Sequence, residues 1–130
     1  SAVAIGDRGL LILGPSGSGK STLALQMIGL GATLVADDRT YVEAKTDGLH
    51  LSPHPEIAGM IEAREFGIIR LPHQTARAAL VCDLSQIETE RLPHPRETVI
   101  DGCAIAMIRR VDSPAFPSML CLHLRAGLES

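Results

Sequence analysis

The chain has 130 residues and a formal net charge of −3. That length suits one domain, spanning residues 1–130, around one core and excludes two ordinary domains. Hydrophobic residues make up 45% but aromatic ones only 2%, so the core is expected from Leu, Ile, Val and Ala, and the stacking rings and basic face of a nucleic-acid module are missing.

Ala2 to Ile5 and Gly9 to Leu13 read as strands joined through the polar connection Gly6-Asp7-Arg8. No methionine precedes this first strand, so the natural protein is expected to extend upstream. No apolar run approaches a membrane span, and no charged leader with a cleavage site opens the chain. Cys82, Cys103 and Cys121 are odd in number, widely spaced and set in apolar surroundings, which suits buried thiols better than disulfides or a zinc knuckle. A cytoplasmic location with no membrane partner follows as the expectation.

Directly after the second strand comes Gly14-Pro15-Ser16-Gly17-Ser18-Gly19-Lys20-Ser21, which meets the G-x-x-x-x-G-K-[ST] phosphate-loop pattern at every required position. Glycines let the backbone turn its N–H groups around phosphates, a lysine supplies a point charge, and the final hydroxyl suits Mg²⁺. Chance would produce the four fixed positions on the order of a few times in 100,000 starting points. The context agrees, because Leu10 to Leu13 reads as a buried strand and Ser21 to Ile28 as a helix whose N-terminus adds its dipole to anion binding. The nucleotide-binding set is therefore Gly14, Pro15, Ser16, Gly17, Ser18, Gly19, Lys20, Ser21 and Thr22. Lys20 is one of only two lysines, beside ten arginines.

The helix is expected to end near Gly29-Leu30-Gly31, where glycine can take the left-handed cap. Thr33 to Ala36 reads as a buried strand ending on Asp37-Asp38. If this strand neighbours the one before the phosphate loop, the acidic pair returns beside the phosphates. Successive residues of a continuing strand face opposite sides, so either one carboxylate faces the nucleotide or the strand breaks and both do. In phosphoryl transfer a carboxylate holds Mg²⁺ or accepts the proton of the attacking hydroxyl, and a pair can divide those duties.

Tyr41 to Glu43 and Leu49 to Leu51 are short β segments around the turn signal Asp47-Gly48, and Ser52-Pro53-His54-Pro55 is held extended by its prolines. Residues 57–69 read as a loop entering a strand at Gly67-Ile68-Ile69. Ala78 to Asp83 reads as a buried strand, Leu84 to Arg96 as a surface excursion, and Cys103 to Ile108 as the last strand. Ser113-Pro114, or Pro117 itself, opens a closing helix toward Ala126-Gly127. The five histidines show no metal-ligand spacing. Strands outnumber helices, so the expected fold is α/β, a phosphate-loop-containing mixed sheet with two or three helices rather than a regular doubly wound one.

Three motifs in order, the phosphate loop with its helix, then Leu34-Val35-Ala36-Asp37-Asp38-Arg39, then Ile61-Glu62-Ala63-Arg64-Glu65-Phe66-Gly67-Ile68-Ile69, together resemble the catalytic domain of HPr kinase/phosphorylase. The last resembles that family's signature Glu-x-Arg-Gly-x-Gly-Ile-Ile, and the similarity covers nearly the whole chain, in a short form without the family's N-terminal domain. The resemblance implies Mg²⁺- and ATP-dependent phosphorylation of a seryl hydroxyl on HPr, the phosphocarrier of sugar phosphotransferase systems. It also implies a reverse phosphorolysis that consumes inorganic phosphate and releases pyrophosphate, and a homo-hexamer. Carried over residue by residue, Lys20 contacts the γ-phosphate, Ser21 is a Mg²⁺ ligand, and Asp38 is the catalytic proton acceptor with Asp37 beside it. Glu62 matches the second metal position, Ile61 to Arg70 the segment used in both directions, and Arg91 the arginine associated with catalysis.

Departures from the pattern are Glu65 at a signature glycine and Thr22 where many members have glutamate. The family's catalytic histidine would fall just upstream of Ser1. Without the resemblance, the residues alone leave open a small-metabolite kinase or a nucleotide-gated regulatory module.

Overall fold

A computed structural model describes residues 1–127 of the chain. Ten strands and two α-helices follow in the order β1 (Ala2–Ile5), β2 (Arg8–Leu13), α1 (Lys20–Gly29), β3 (Thr33–Ala36), β4 (Thr40–Lys45), β5 (Gly48–Pro53), β6 (Met60–Ala63), β7 (Gly67–Arg70), β8 (Ala76–Ile87), β9 (Arg96–Ile100), β10 (Cys103–Arg110) and α2 (Phe116–Ala126). A short 3-10 turn at Pro55–Ile57 separates β5 from β6. The expected mixed α/β sheet with few helices is what the chain forms.

The main sheet runs β3-β1-β2-β8-β10-β9, with the β4–β5 hairpin joined to the outer side of the first half of β8. Strand β1 is antiparallel to both β2 and β3, whereas β2, β8 and β10 are mutually parallel. Consequently β3, β2, β8 and β10 all point the same way, and their C-terminal ends share one edge of the sheet. Open α/β sheets bind ligands along that edge. The acidic strand β3 is not the neighbour of β2, because β1 lies between them.

Alternation in the central strands builds two cores, one on each face. Leu10, Ile12, Leu34, Leu80, Cys82 and Leu84 face α1 and α2 and pack with Leu23, Met27, Phe116, Leu120 and Leu124. Leu11, Val35, Val81 and Ile105 face the other way, toward Leu49 and Leu51 of the hairpin. A strand covered on both faces reads as a continuous apolar run, as β2 and the middle of β8 do. Cys82 and Cys121 are buried and Cys103 is partly so, all free thiols. Burial pushes the Cys82 thiol up to about 12, which leaves it unreactive at neutral pH.

Three local expectations are corrected. Residues 57–69 are not a loop entering one strand but contain β6, paired antiparallel with β7 from Met60↔Arg70 to Ala63↔Gly67. The excursion after Asp83 is shorter than expected, since β8 runs on to Ile87 and β9 starts at Arg96. The closing helix begins at Phe116, between the two starts considered, with Pro117 in its first turn. Its other end matches, because Gly127 caps it at φ 75°. Among the described residues, no helix is long and apolar enough to cross a membrane.

Candidate active site

Residues 14–19 connect the C-terminal end of β2 to the start of α1. Gly17 and Gly19 take φ of 82° and 95°, conformations that cost an L side chain about 1 kcal/mol or more. A Cβ on Gly14 would come 2.5 Å from the Ser18 hydroxyl and 3.2 Å from Leu84 Cβ, so a side chain there would have to displace both neighbours. Helix α1 has no side-chain cap and no acidic residue in its first turn. Its earliest intrahelical bond within the loop-to-helix junction is the Leu23 N–H donating to the Gly19 carbonyl. The N–H groups before it are the ones a helix start leaves without intrahelical partners, and they accompany the positive end of the helix dipole. This junction fits a phosphate group on its own chemistry.

Lys20 Nζ donates to the Gly14 carbonyl at 2.6 Å, which curls the side chain back over the loop it follows. Ser21 Oγ donates to Asp37 Oδ1 at 2.6 Å, and the Glu62 backbone N–H donates to Asp37 Oδ2 at 3.0 Å. Ser1 Oγ in turn donates to the Asp37 carbonyl at 2.7 Å. Asp37 is thus only 9% exposed, with both carboxylate oxygens engaged. The helix start, the end of β3 and β6 are therefore joined at one carboxylate, although β1 separates β2 from β3. Ser1 spans that gap from the β2 side as well, its carbonyl accepting from Ile12 N–H at 2.8 Å.

Strand β3 stops at Ala36, and Asp37 and Asp38 form a bend. Of the two alternatives open in the sequence, the strand breaks. The two carboxylates then differ: Asp37 is buried against Ser21, while Asp38 is exposed and lines a cavity of about 460 Å³ together with Lys20, Gly14, Leu13, Thr40 and Ile100. Ser21 Oγ and the Asp37 carboxylate are hard oxygen donors of the kind Mg²⁺ takes, usually with one or two carboxylates and retained waters. They fit such an ion. Glu62 lies next to them through its backbone, with its own side chain exposed on β6 between buried Ile61 and Ala63. Among the described residues no three His, Cys, Asp or Glu side chains converge as a ready-made metal cage.

The β6–β7 turn carries Glu65 at φ 64°, closed by the Phe66 N–H donating to the Ala63 carbonyl at 2.9 Å. This left-handed position is one that glycine adopts freely, so the departure from glycine noted in the sequence costs backbone strain. Arg91 is exposed on the loop between β8 and β9. Among the described residues, no hydrogen bond or ion pair links it to Lys20, Asp37 or Asp38. Its loop is closed at the base by Glu88, whose Oε2 accepts from the backbone N–H groups of Thr89 and Glu90 and from Arg96 at 3.0 Å. Burial pushes the Glu88 carboxyl up, but these donors outweigh it and hold the group below the usual carboxylate range.

Sequence reasoning passed over Asp83. It lies on β8 opposite Leu13, the residue before Gly14, and so at the same sheet edge as the phosphate loop. Its Oδ1 accepts from both the backbone N–H and the hydroxyl of Ser85. The signal was present, since Leu80-Val81-Cys82 is an apolar run ending on a carboxylate, as Leu34-Val35-Ala36 is.

Asp37→Ala is expected to destabilise the fold by about 1–3 kcal/mol, because the Glu62 N–H and the Ser21 hydroxyl lose their acceptor in a partly buried site. Denaturant unfolding of the variant beside the parent protein measures it, and an unchanged midpoint would remove Asp37 from the junction between α1, β3 and β6.

A family model described as the HPr Serine kinase C-terminal domain matches residues 1–89. An HPr kinase/phosphorylase of Clostridium novyi is 46% identical over 65 residues, which are 49% of this chain and 21% of that protein. One from Streptococcus thermophilus is 42% identical over 81 residues, covering 62% of this chain and 26% of the relative. One from Geobacillus thermodenitrificans is 36% identical over 94 residues, 64% and 30% of the two chains. The matched part is thus less than a third of each of these curated relatives. The solved Hpr(Ser) kinase/phosphatase from Coxiella burnetii superimposes with a TM-score of 0.75 at 25% identity, over 95% of this chain and 85% of that one. With its family model covering the phosphate loop, the acidic bend and β6 through β8, the chain belongs to the HPr serine kinase C-terminal domain family.

Proposed function

We propose that this chain is the catalytic core of a Mg²⁺- and ATP-dependent protein serine kinase whose acceptor is an HPr-type phosphocarrier. The observation that carries the proposal is the unequal environment of the acidic pair. Asp37 is buried against the Ser21 hydroxyl, and Asp38 is exposed in the cavity that also holds Lys20. That is the division of labour phosphoryl transfer needs, with one carboxylate on the phosphate-and-metal side and one free to take a proton.

In this reading the triphosphate lies on Gly14 to Thr22, its β- and γ-oxygens against the backbone N–H groups, with Lys20 turned from Gly14 toward the γ-phosphate. Ser21 and Asp37 would hold Mg²⁺, and Glu62, whose backbone N–H meets Asp37, would serve the second metal position. Bound Mg²⁺ supplies charge neutralisation for the phosphates. Asp38 accepts the proton of the acceptor's seryl hydroxyl as its oxygen bonds to the γ-phosphorus, the bond to the β–γ bridging oxygen breaks, and ADP departs. Arg91 would reach the transferring group only by movement of the loop it stands on. The reverse phosphorolysis, a hexameric assembly and a cytoplasmic setting without nucleic-acid or membrane partners belong to the same proposal and rest on the family.

Incubation of the protein with Mg·ATP and HPr should add one phosphate to HPr, read by intact-mass spectrometry. Unmodified HPr under conditions where ATP is demonstrably bound would overturn the acceptor assignment.

A further inference from the structure

The phosphate loop separates two cavities. One holds Lys20 and Asp38 and lies on the side of Leu11 and Val42, the face of the sheet covered by the β4–β5 hairpin. The other, of about 260 Å³, lies on the helix face, between the start of α1 and the segment joining β10 to α2. Ser18, Gly19 and Thr22 line it from the loop side, and Arg110, Val111 and Pro114 face them. Its floor is apolar, from Leu23, Leu84 and Phe116 of the helix-side core.

We infer that this second cavity takes the nucleoside half of the triphosphate; the inference rests on the kinase reading and deepens it. The first argument is the line of transfer. Attacking and leaving oxygens stand roughly in line through the transferring phosphorus, so an acceptor entering beside Asp38 puts the leaving bridging oxygen on the side of that phosphorus away from Asp38. The cavity beside Thr22 is on that side. The second argument is helical phase. Thr22 and Gln26, four residues apart, share one stripe of α1 and both line this cavity, whereas Lys20 lines the other and Ser21 turns to Asp37.

Size and chemistry agree. A cavity of this volume is smaller than sites that enclose a whole drug-sized ligand, and it suits half a nucleotide whose phosphates lie outside it on the loop. Its walls combine an apolar floor for a base or ribose face with Arg110, whose planar guanidinium can stack on a base. The segment carrying Arg110 to Pro114 also ends a parallel strand at the ligand-binding edge of the sheet.

Two measurements test this. ATP should bind at least about tenfold more tightly than inorganic triphosphate at equal Mg²⁺, since only ATP covers the apolar floor. An azido-adenine analogue of ATP, photolysed on the protein, should label residues 110–117 or Gln26, and excess inorganic triphosphate should prevent the labelling. Equal affinities, competable label on Thr40, Val42 or Ile100, or no competable label would each overturn the assignment. A protein that binds neither ATP nor inorganic triphosphate would instead overturn the phosphate-loop reading beneath it.

Discussion

Asp38→Asn is expected to lower phosphoryl transfer by about 10²–10⁴-fold, the range associated with a positioned general base, while ATP affinity stays within about twofold. The side chain is exposed and lines the cavity beside Lys20, and among the described residues it makes no side-chain hydrogen bond or ion pair. The amide therefore costs no fold stability that could mimic a catalytic defect. It preserves shape and removes the ability to take a proton at neutral pH. Steady-state kcat with HPr and calorimetric titration with Mg·ATP give the two readouts. Unchanged turnover would take the base role from Asp38, and a parallel loss of ATP binding would move it to the phosphate side. Asp37→Asn would differ in kind, because Asp37 Oδ1 and Oδ2 already accept from Ser21 and Glu62.

Lys20→Ala is expected to weaken ATP binding by about 10- to 100-fold, as loss of a hydrogen bond from a charged donor does, and to reduce transfer by about 10²–10³-fold, as loss of a group aimed at developing charge does. Its ammonium is held near the loop by the Gly14 carbonyl and would exchange that acceptor for a phosphate oxygen when the nucleotide arrives. The helix start contributes separately through its backbone, which the substitution leaves in place. Residual binding is thus expected in the variant. Arginine at this position is not a rescue, because a planar fork is longer and differently shaped from a point charge. Unaltered affinity for ATP would argue against the phosphate loop as the nucleotide site.

What could be read in the sequence was what local pattern dictates. The strand–turn–helix connection around Gly14 to Ser21, the apolar run into Asp37-Asp38 and the Asp47-Gly48 hairpin each depend on a few consecutive residues, and these elements form where expected. Strand order is not local. Nothing in Thr33 to Ala36 announces that β1 inserts between β3 and β2, and the acidic pair reaches the phosphate loop through the Ser21–Asp37 bond rather than through strand pairing. Strand β6 was hidden for another reason. Its exposed Glu62, with Arg64 just beyond the strand, resembles loop composition unless Ile61 and Ala63 are recognised as the buried half of a two-residue alternation. Strand β9 is polar at its start and, among the described residues, pairs only with β10, the sort of sheet edge where charged side chains are at home.

The division between Asp37 and Asp38 could not be read from the residues, because two adjacent aspartates are chemically alike until burial separates them. The cavity walled by Arg110 to Pro114 was equally invisible, since it forms only where β10 and α2 pack beside a loop nearly 100 residues earlier in the chain.

In the proposed reaction the Gly14–Thr22 loop and Asp38 together move the γ-phosphate of ATP onto a seryl oxygen. Following the fate of γ-labelled phosphate tests it most directly, with protein, Mg·ATP and HPr mixed in a single turnover and the products separated. Label is expected on one serine of HPr, dependent on Mg²⁺ and lost with Asp38→Asn. Label that stays on bound ATP, as a nucleotide-gated module would leave it, or that passes only to water or a small metabolite, would contradict it.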